Sequence, residues 1–153
     1  DLAVTLEKSE FRGEESLSIY IRDSKLSDFD EKAYLQEKCW YEAALCGEDL
    51  PDEILAQLIP NRQEFAVVYR FLRANRGWRY GLDVLCSRLQ KEKIGCGKLC
   101  IILCIMDELK LMEVQLDGDQ CKAAMLEVSG KVDLNSSRIL SGLRKKRCGE
   151  EYA

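Results

Sequence analysis

The segment from residue 97 to residue 110 constrains the fold more than any other part of the chain. Its spacing predicts a helix, and nearly every position is apolar, with Leu99, Ile102 and Met106 as examples. A helix that is apolar on all sides lies in a core or docks on another protein surface. Its charged positions are Lys98, Asp107, Glu108 and Lys110. Since two of these are acidic, we do not expect this helix to read base edges in duplex DNA.

The elements before that segment follow from periodicity. An amphipathic helix over about 62–75 begins at Asn61, which with Glu64 has the spacing of a capping box. Residues 78–80 form a short extended link to a second predicted helix over about 81–91.

The elements predicted after residue 110 are two strands and a final helix. Two strands over about 111–128 are joined by a turn at Asp117-Gly118, and Asn135 or Ser136 caps a final helix. The order of helix, short strand, helix, turn, helix and two-stranded wing is that of a winged helix. This part of the chain is therefore predicted to be winged-helix-like.

Two predicted strands open the chain, over residues 2–23, with their reversal near Gly13. A two-stranded ribbon is marginal in water, so this one should belong to a larger sheet or lean on the rest of the chain. A helix over about 30–46 and a short helix that begins near Pro51 follow.

These elements predict an α+β chain in three parts, and charge supports the second boundary. We expect a hairpin at residues 1–28, a helical connector at 29–59 and the winged-helix-like domain at 60–153. Residues 1–60 hold 6 basic and 15 acidic side chains, whereas residues 61–153 hold 17 basic and 12 acidic ones. The basic second part can meet nucleic acid or an acidic protein.

The composition excludes several classes of protein. The chain has no histidine, which removes imidazole general-base catalysis, His-containing zinc sites and His-based triads. No apolar run is long enough for a membrane span, and no signal peptide is visible. The eight cysteines contain no C-x-x-C pair, so we predict free thiols in a reducing, cytoplasmic compartment. The chain begins at Asp1 inside a strand, and we expect it to be a piece of a longer protein.

An arginine stripe is the sharpest candidate binding feature. It consists of Arg62, Arg70, Arg73 and Arg76. These side chains share one arc of the helix over 62–75 and can contact successive phosphates. Arg79, flanked by Trp78 and Tyr80, can extend the stripe, because basic grooves with aromatic platforms hold single strands. The alternative is a solvated helix face with Trp78 and Tyr80 packed in the core.

A second basic feature ends the last helix. It consists of Arg144, Lys145, Lys146 and Arg147. This run can bind phosphates nonspecifically. The alternative is that these cations only favour the negative end of the helix dipole, and Glu150 and Glu151 would weaken their field.

Several segments resemble a known family. They are residues 9–13 (SEFRG), 17–23 (LSIYIRD), 60–65 (PNRQEF), 69–72 (YRFL), 106–111 (MDELKL) and 132–137 (VDLNSS). With them the chain resembles the C-terminal region of a RecJ-type single-stranded-DNA-specific exonuclease of the DHH family, in the form found in Firmicutes. The first two look like the closing hairpin of the family's OB domain, and the others look like its extra C-terminal domain.

The resemblance implies a function for the parent protein. Such enzymes degrade single-stranded DNA from 5′ to 3′ in repair and recombination, with manganese or magnesium held by aspartates and histidines. Because this chain has no histidine, no catalytic residue carries over to it and no cofactor is expected in it. The expected role is to hold single-stranded DNA, or a partner such as a helicase or single-strand-binding protein, with no membrane contact.

Two alternatives from other classes stay open. One is a stand-alone winged-helix module that binds proteins and has no nucleic-acid role. The other is a small transcription regulator, which predicts a dimer and a preference for duplex DNA; the apolar helix at 97–110 speaks against it.

Overall fold

The computed structural model describes residues 2–24, 29–128 and 130–149 of the chain. It divides into two compact units, Asp1–Asp30 and Glu31–Ala153. Within the described residues the protein is α+β, with six α-helices and two antiparallel two-stranded sheets. The predicted α+β class is therefore confirmed.

The first unit is a long hairpin of β1 (Leu2–Phe11) and β2 (Glu14–Ser24). Arg12 and Gly13 form the turn and both have positive φ, 54° and 82°, as in a type I′ turn. Side chains alternate between the two faces of the ribbon. The register pairs Val4 with Ile21 and therefore brings the aliphatic residues of both strands onto one face. They are Leu2, Val4, Leu6, Leu17, Ile19 and Ile21, and all of them are exposed.

The second unit is built around one central helix. Its helices are α1 (Glu31–Cys46), α2 (Asp52–Leu58), α3 (Arg62–Ala74), α4 (Leu82–Leu89), α5 (Cys96–Glu108) and α6 (Arg138–Arg147). Nine of the 13 residues of α5 are buried, because the five other helices all pack against it. Of the two alternatives for this apolar segment, a core helix or one that docks on another protein, the structure shows the core helix.

A small sheet covers one end of the core. It consists of β3 (Met112–Asp117) and β4 (Gln120–Met125), and Met112 of β3 is fully buried. The turn lies one residue later than predicted: Asp117 pairs with Gln120, so Gly118 and Asp119 are the loop. The link after α3 joins the other edge of β4 through isolated bridges, Trp78 with Ala123 and Gly81 with Gln120.

Gly77 allows the link to reach β4. Its φ is 101°, and a Cβ atom there would lie 2.3 Å from the carbonyl oxygen of Ala123. The Trp78 N–H donates to that same oxygen at 2.8 Å. Only glycine combines this backbone conformation with so close an approach.

The segment interpreted as a connector is part of the core instead. Both α1 and α2 pack on α5, and the structure divides after Asp30, with no division near Pro60. Two glycines permit the close packing: a Cβ atom at Gly97 would lie 2.6 Å from Leu58 Cδ2, and one at Gly95 would meet the Glu37 carboxylate.

The predicted cap of the last helix is wrong by one or two residues. Asn135 and Ser136 belong to a 3₁₀ turn, Leu134–Ser136, and Ser137 caps α6 by accepting from the Leu140 N–H at 3.1 Å. The Ser137 hydroxyl is held in place because it donates to Glu108 Oε2 at 2.6 Å.

Candidate nucleic-acid interface

The arginine face of α3 is exposed and free of ion pairs. The capping box predicted at the start of α3 is present, since Asn61 Oδ1 accepts from the Glu64 N–H at 2.9 Å and Glu64 Oε2 accepts from the Asn61 N–H at 2.8 Å. The other oxygen of Glu64 accepts from Lys98 Nζ at 2.7 Å. Arg62, Arg70 and Arg73 are exposed, and no ion pair joins them to a carboxylate in the part of the chain that the structure describes.

Arg76 lies just beyond α3, in a left-handed conformation with φ of 56°. The Gly77 N–H donates to the Leu72 carbonyl at 2.8 Å and the Arg76 N–H to the Arg73 carbonyl at 3.1 Å, which is a Schellman motif. Glycine is the usual residue at this position. Arg76 is exposed where the chain turns into the link.

The two aromatic residues of the link have different environments. Trp78 is 7% exposed, its indole N–H donates to the Gly81 carbonyl at 3.2 Å, and its ring centroid lies 5.9 Å from that of Phe71. The expectation that Trp78 forms a platform for bases is therefore wrong, because its ring is in the core. Tyr80 is 67% exposed, and its ring meets that of Trp78 edge-on, with the centroids 5.3 Å apart.

Tyr80 is thus the aromatic group that the protein presents to solvent beside the exposed Arg79. Strand alternation places residues 78 and 80 on the same side of the link. It does not predict which of the two side chains is buried. The alternative, with both rings packed in the core, holds for Trp78 and fails for Tyr80.

The basic run of α6 is only partly free. Arg144 Nη1 donates to Asn135 Oδ1 at 3.1 Å, and Lys146 Nζ donates to the Glu48 carbonyl at 3.3 Å. Lys145 and Arg147 are exposed in the last turn. Their position in the last turn also interacts favourably with the dipole of α6, as the alternative interpretation of this run expects.

The structure brings together two arginines from the separate basic features. Arg62 of α3 and Arg144 of α6 line one cavity of about 160 Å³. Arg73 lies about 16 Å farther along α3 than Arg62, from the rise of about 1.5 Å per residue. The interface therefore has two ends, with the cavity at one and Arg76 and Tyr80 near the other.

The tip of the β3–β4 hairpin is fastened to α1. The Tyr34 hydroxyl donates to Asp119 Oδ1 at 2.8 Å, and Lys38 Nζ donates to the same oxygen at 3.0 Å and to the Gly118 carbonyl at 2.7 Å. The donors Tyr34 and Lys38 hold the pKa of the Asp119 carboxyl below its usual value. The hairpin turn is therefore engaged within the protein.

A second cavity, of about 280 Å³, lies between α1, α5, β3 and α6. Leu45, Val114, Leu116 and Ile139 contribute aliphatic side chains to its lining. Tyr41 also lines it and shares a hydrogen bond with Cys104 Sγ at 3.4 Å. Burial and this bond raise the pKa of the Tyr41 hydroxyl above its ordinary value. This cavity is a groove with aliphatic walls, and the acidic residues Asp107 and Glu108 of α5 also line it.

Four thiols, those of Cys86, Cys96, Cys100 and Cys121, are buried near the start of α5. The thiols of Cys100 and Cys86 donate toward the Cys96 sulfur, and these hydrogen bonds lower the pKa of Cys96. All cysteines in the described ranges are free, as predicted. Within residues 2–24, 29–128 and 130–149, no three His, Cys, Asp or Glu side chains are grouped so that they can hold a metal ion.

No helix among the described residues has the length and apolar character that crossing a membrane requires. The chain matches no protein-family model, and no curated protein or solved structure is significantly similar to it.

Proposed function

We propose that this chain is the noncatalytic C-terminal part of a RecJ-like 5′–3′ single-stranded-DNA exonuclease of repair and recombination, and that it binds single-stranded DNA. The supporting observation is the row of exposed arginines on α3, which have no ion pair to any carboxylate of the described residues and which lead through Arg76 to the exposed ring of Tyr80. Arginines bind phosphates and an exposed aromatic ring stacks on bases, which together suit a single strand.

The order of elements supports a winged-helix-like domain. In chain order, α3, the link, α4, α5 and the β3–β4 hairpin follow the winged-helix pattern, with the link bridged to β4. Because α5 is covered by the other helices, it cannot enter the major groove, and this opposes a transcription regulator that reads duplex DNA. DNA contact therefore falls to α3 and the link.

The proposal places the nuclease chemistry elsewhere in the parent protein. The metal-binding aspartates and histidines would lie upstream, and the β1–β2 hairpin would close an OB-like domain. The parent would act in the cytoplasm, which the free cysteines support.

Fluorescence anisotropy with a labelled oligo-dT strand at two salt concentrations tests DNA binding. We expect the double variant Arg70→Glu, Arg73→Glu to bind roughly 10- to 100-fold more weakly at low salt, with a shallower salt dependence because phosphate contacts are lost. Lys32→Glu, Lys91→Glu is the control, since it changes the net charge equally at exposed positions outside the stripe. Equal binding by the two double variants would remove the stripe from the proposal.

A protein-interaction module is the second candidate, and the groove lined by Leu45, Val114, Leu116 and Ile139 favours it. It lies beside β3, which is an edge strand of its sheet. An edge strand next to an apolar groove suits an added peptide strand. This candidate predicts that the wild-type chain shows no measurable affinity for oligo-dT at either salt concentration.

A further inference from the structure

We infer that the cavity between the start of α3 and α6 binds a single phosphate group. The inference rests on the proposed function insofar as the phosphate is one from the DNA backbone. Arg62 and Arg144 both line this cavity. They come from different elements, so the fold has to form before the pair exists.

The size and lining of the cavity select the ligand. Its volume is about 160 Å³, whereas sites for drug-sized ligands have about 300–1,000 Å³. A phosphate group fits this space and a complete nucleotide does not. Pro60, Phe65, Leu134 and Leu140 supply apolar walls, which exclude water from one side and strengthen an ionic contact.

The polar groups leave a net positive charge for an anion. Asp133 is the one carboxylate that the described residues contribute to the lining, and its Oδ1 accepts from the Asn135 N–H at 3.0 Å. Against it stand the two arginines. Arg144 is oriented by its 3.1 Å hydrogen bond to Asn135 Oδ1, which leaves its other N–H groups available to a phosphate.

The arginines carry the site, and the amino end of α3 does not. The N–H groups of Gln63 and Glu64 already donate to Asn61 Oδ1, at 2.8 and 2.9 Å. The N–H of Asn61 donates to the Glu64 carboxylate. These donors are satisfied within the capping box, so replacing the two arginines should abolish binding.

Titration of the ¹⁵N-labelled full chain with inorganic phosphate, followed by NMR, tests the site directly. We expect saturable shifts of the Asn135 side-chain amide and of the Arg62 and Arg144 Nε–H signals. Arg62→Gln, Arg144→Gln should lose the Asn135 shift, and Arg62→Lys, Arg144→Lys should weaken it because bidentate bonding is lost. Lys32→Gln, Lys91→Gln removes the same charge at exposed positions outside both basic features and should keep the Asn135 shift.

Binding of oligo-dT by the same variants identifies the source of the phosphate. A roughly tenfold loss in Arg62→Gln, Arg144→Gln, with the control unchanged, supports a backbone phosphate. Phosphate shifts without any wild-type DNA binding would support the cavity as a site for free phosphate and overturn the proposed function. Absence of phosphate shifts, or equal shifts in the glutamine variant, would overturn the inference even where Arg70→Glu, Arg73→Glu weakens DNA binding.

Discussion

The β1–β2 hairpin and helix α5 both carry continuous apolar surface, but only that of α5 is covered. On the hairpin, the six aliphatic residues of one face are 45–64% exposed. On α5, residues from Leu99 to Leu103 are all 0% exposed, because helices pack on every side. The two elements differ in whether other elements pack on their apolar surface, and not in how apolar residues are spaced along them. Periodicity identifies an apolar face, and a neighbouring element has to cover it.

The two units should differ most in stability when they are separated. Residues 31–153 alone should unfold cooperatively on heating, because α5 and all its packing partners lie within them. A peptide of residues 1–30 should show no stable sheet, since two strands without a covering layer are marginal in water. Far-UV circular dichroism during heating measures both. Cooperative melting of the peptide would show that the hairpin is stable without a covering layer, contrary to this prediction.

Matched side-chain truncations in the full chain measure how much a covered and an exposed apolar residue each contribute to the free energy of unfolding. Leu103→Ala should lower the free energy of unfolding by about 3 kcal/mol, since it leaves a cavity around a fully buried side chain. Ile19→Ala removes a side chain that is 63% exposed and should cost less than about 0.5 kcal/mol. Urea unfolding of the two variants gives both values. Equal losses would mean that the hairpin face is covered in solution.

Alanine substitutions at two glycines with positive φ distinguish the cost of an unfavourable backbone conformation from the cost of a steric clash. Gly13→Ala should cost about 1 kcal/mol, because a Cβ atom there meets nothing within 4 Å and only the conformation is unfavourable. Gly77→Ala should cost more than about 2 kcal/mol, because it adds a clash with the Ala123 carbonyl. Thermal melts rank them. A smaller loss at Gly77 than at Gly13 would contradict the close approach of β4.

A smaller effect than that of Gly77→Ala is expected at a carboxylate of the helical unit. Glu108 accepts from the Ser137 hydroxyl and the Arg138 N–H, and these bonds lower its pKa although burial opposes them. Because the folded pKa is lowered, this stabilisation is complete above the ordinary value of 4.5 and is lost as pH falls through the folded pKa.

Replacement of that carboxylate gives the corresponding measurement. Glu108→Gln should lower stability by about 1 kcal/mol at neutral pH and match the wild type in strong acid. Exposed Glu113→Gln on β3 is the control and should change little. Melting temperatures across this pH range test the sign. A deficit that is constant with pH would exclude the charge as its cause.

Local signals predict much of this fold. The hairpin, the bounds of α1 and α3, the capping box at Asn61 and the burial of α5 all follow from spacing and from residues close in sequence. These features depend on neighbours within a few positions, where propensity and capping decide the outcome.

The remaining features depend on contacts between distant segments. Three consecutive residues, Asn135 to Ser137, can each cap a helix, and Glu108 selects Ser137. Similarly, the sequence predicts that α1 is a connector, because it does not show that Gly95 and Gly97 leave room for α1 to pack against α5. The candidate site follows the same rule, because nothing near Arg62 in the sequence indicates that Arg144 shares its cavity.

The bond between Tyr34 and Asp119 joins residues 85 positions apart and has a consequence for biosynthesis. At the usual synthesis rate, about 4–17 s pass between the two residues. For most of that interval α5, the main packing partner of α1, has not been fully synthesised. The second unit therefore completes its core only after β4 has been synthesised, whereas the β1–β2 hairpin precedes the whole unit in the chain.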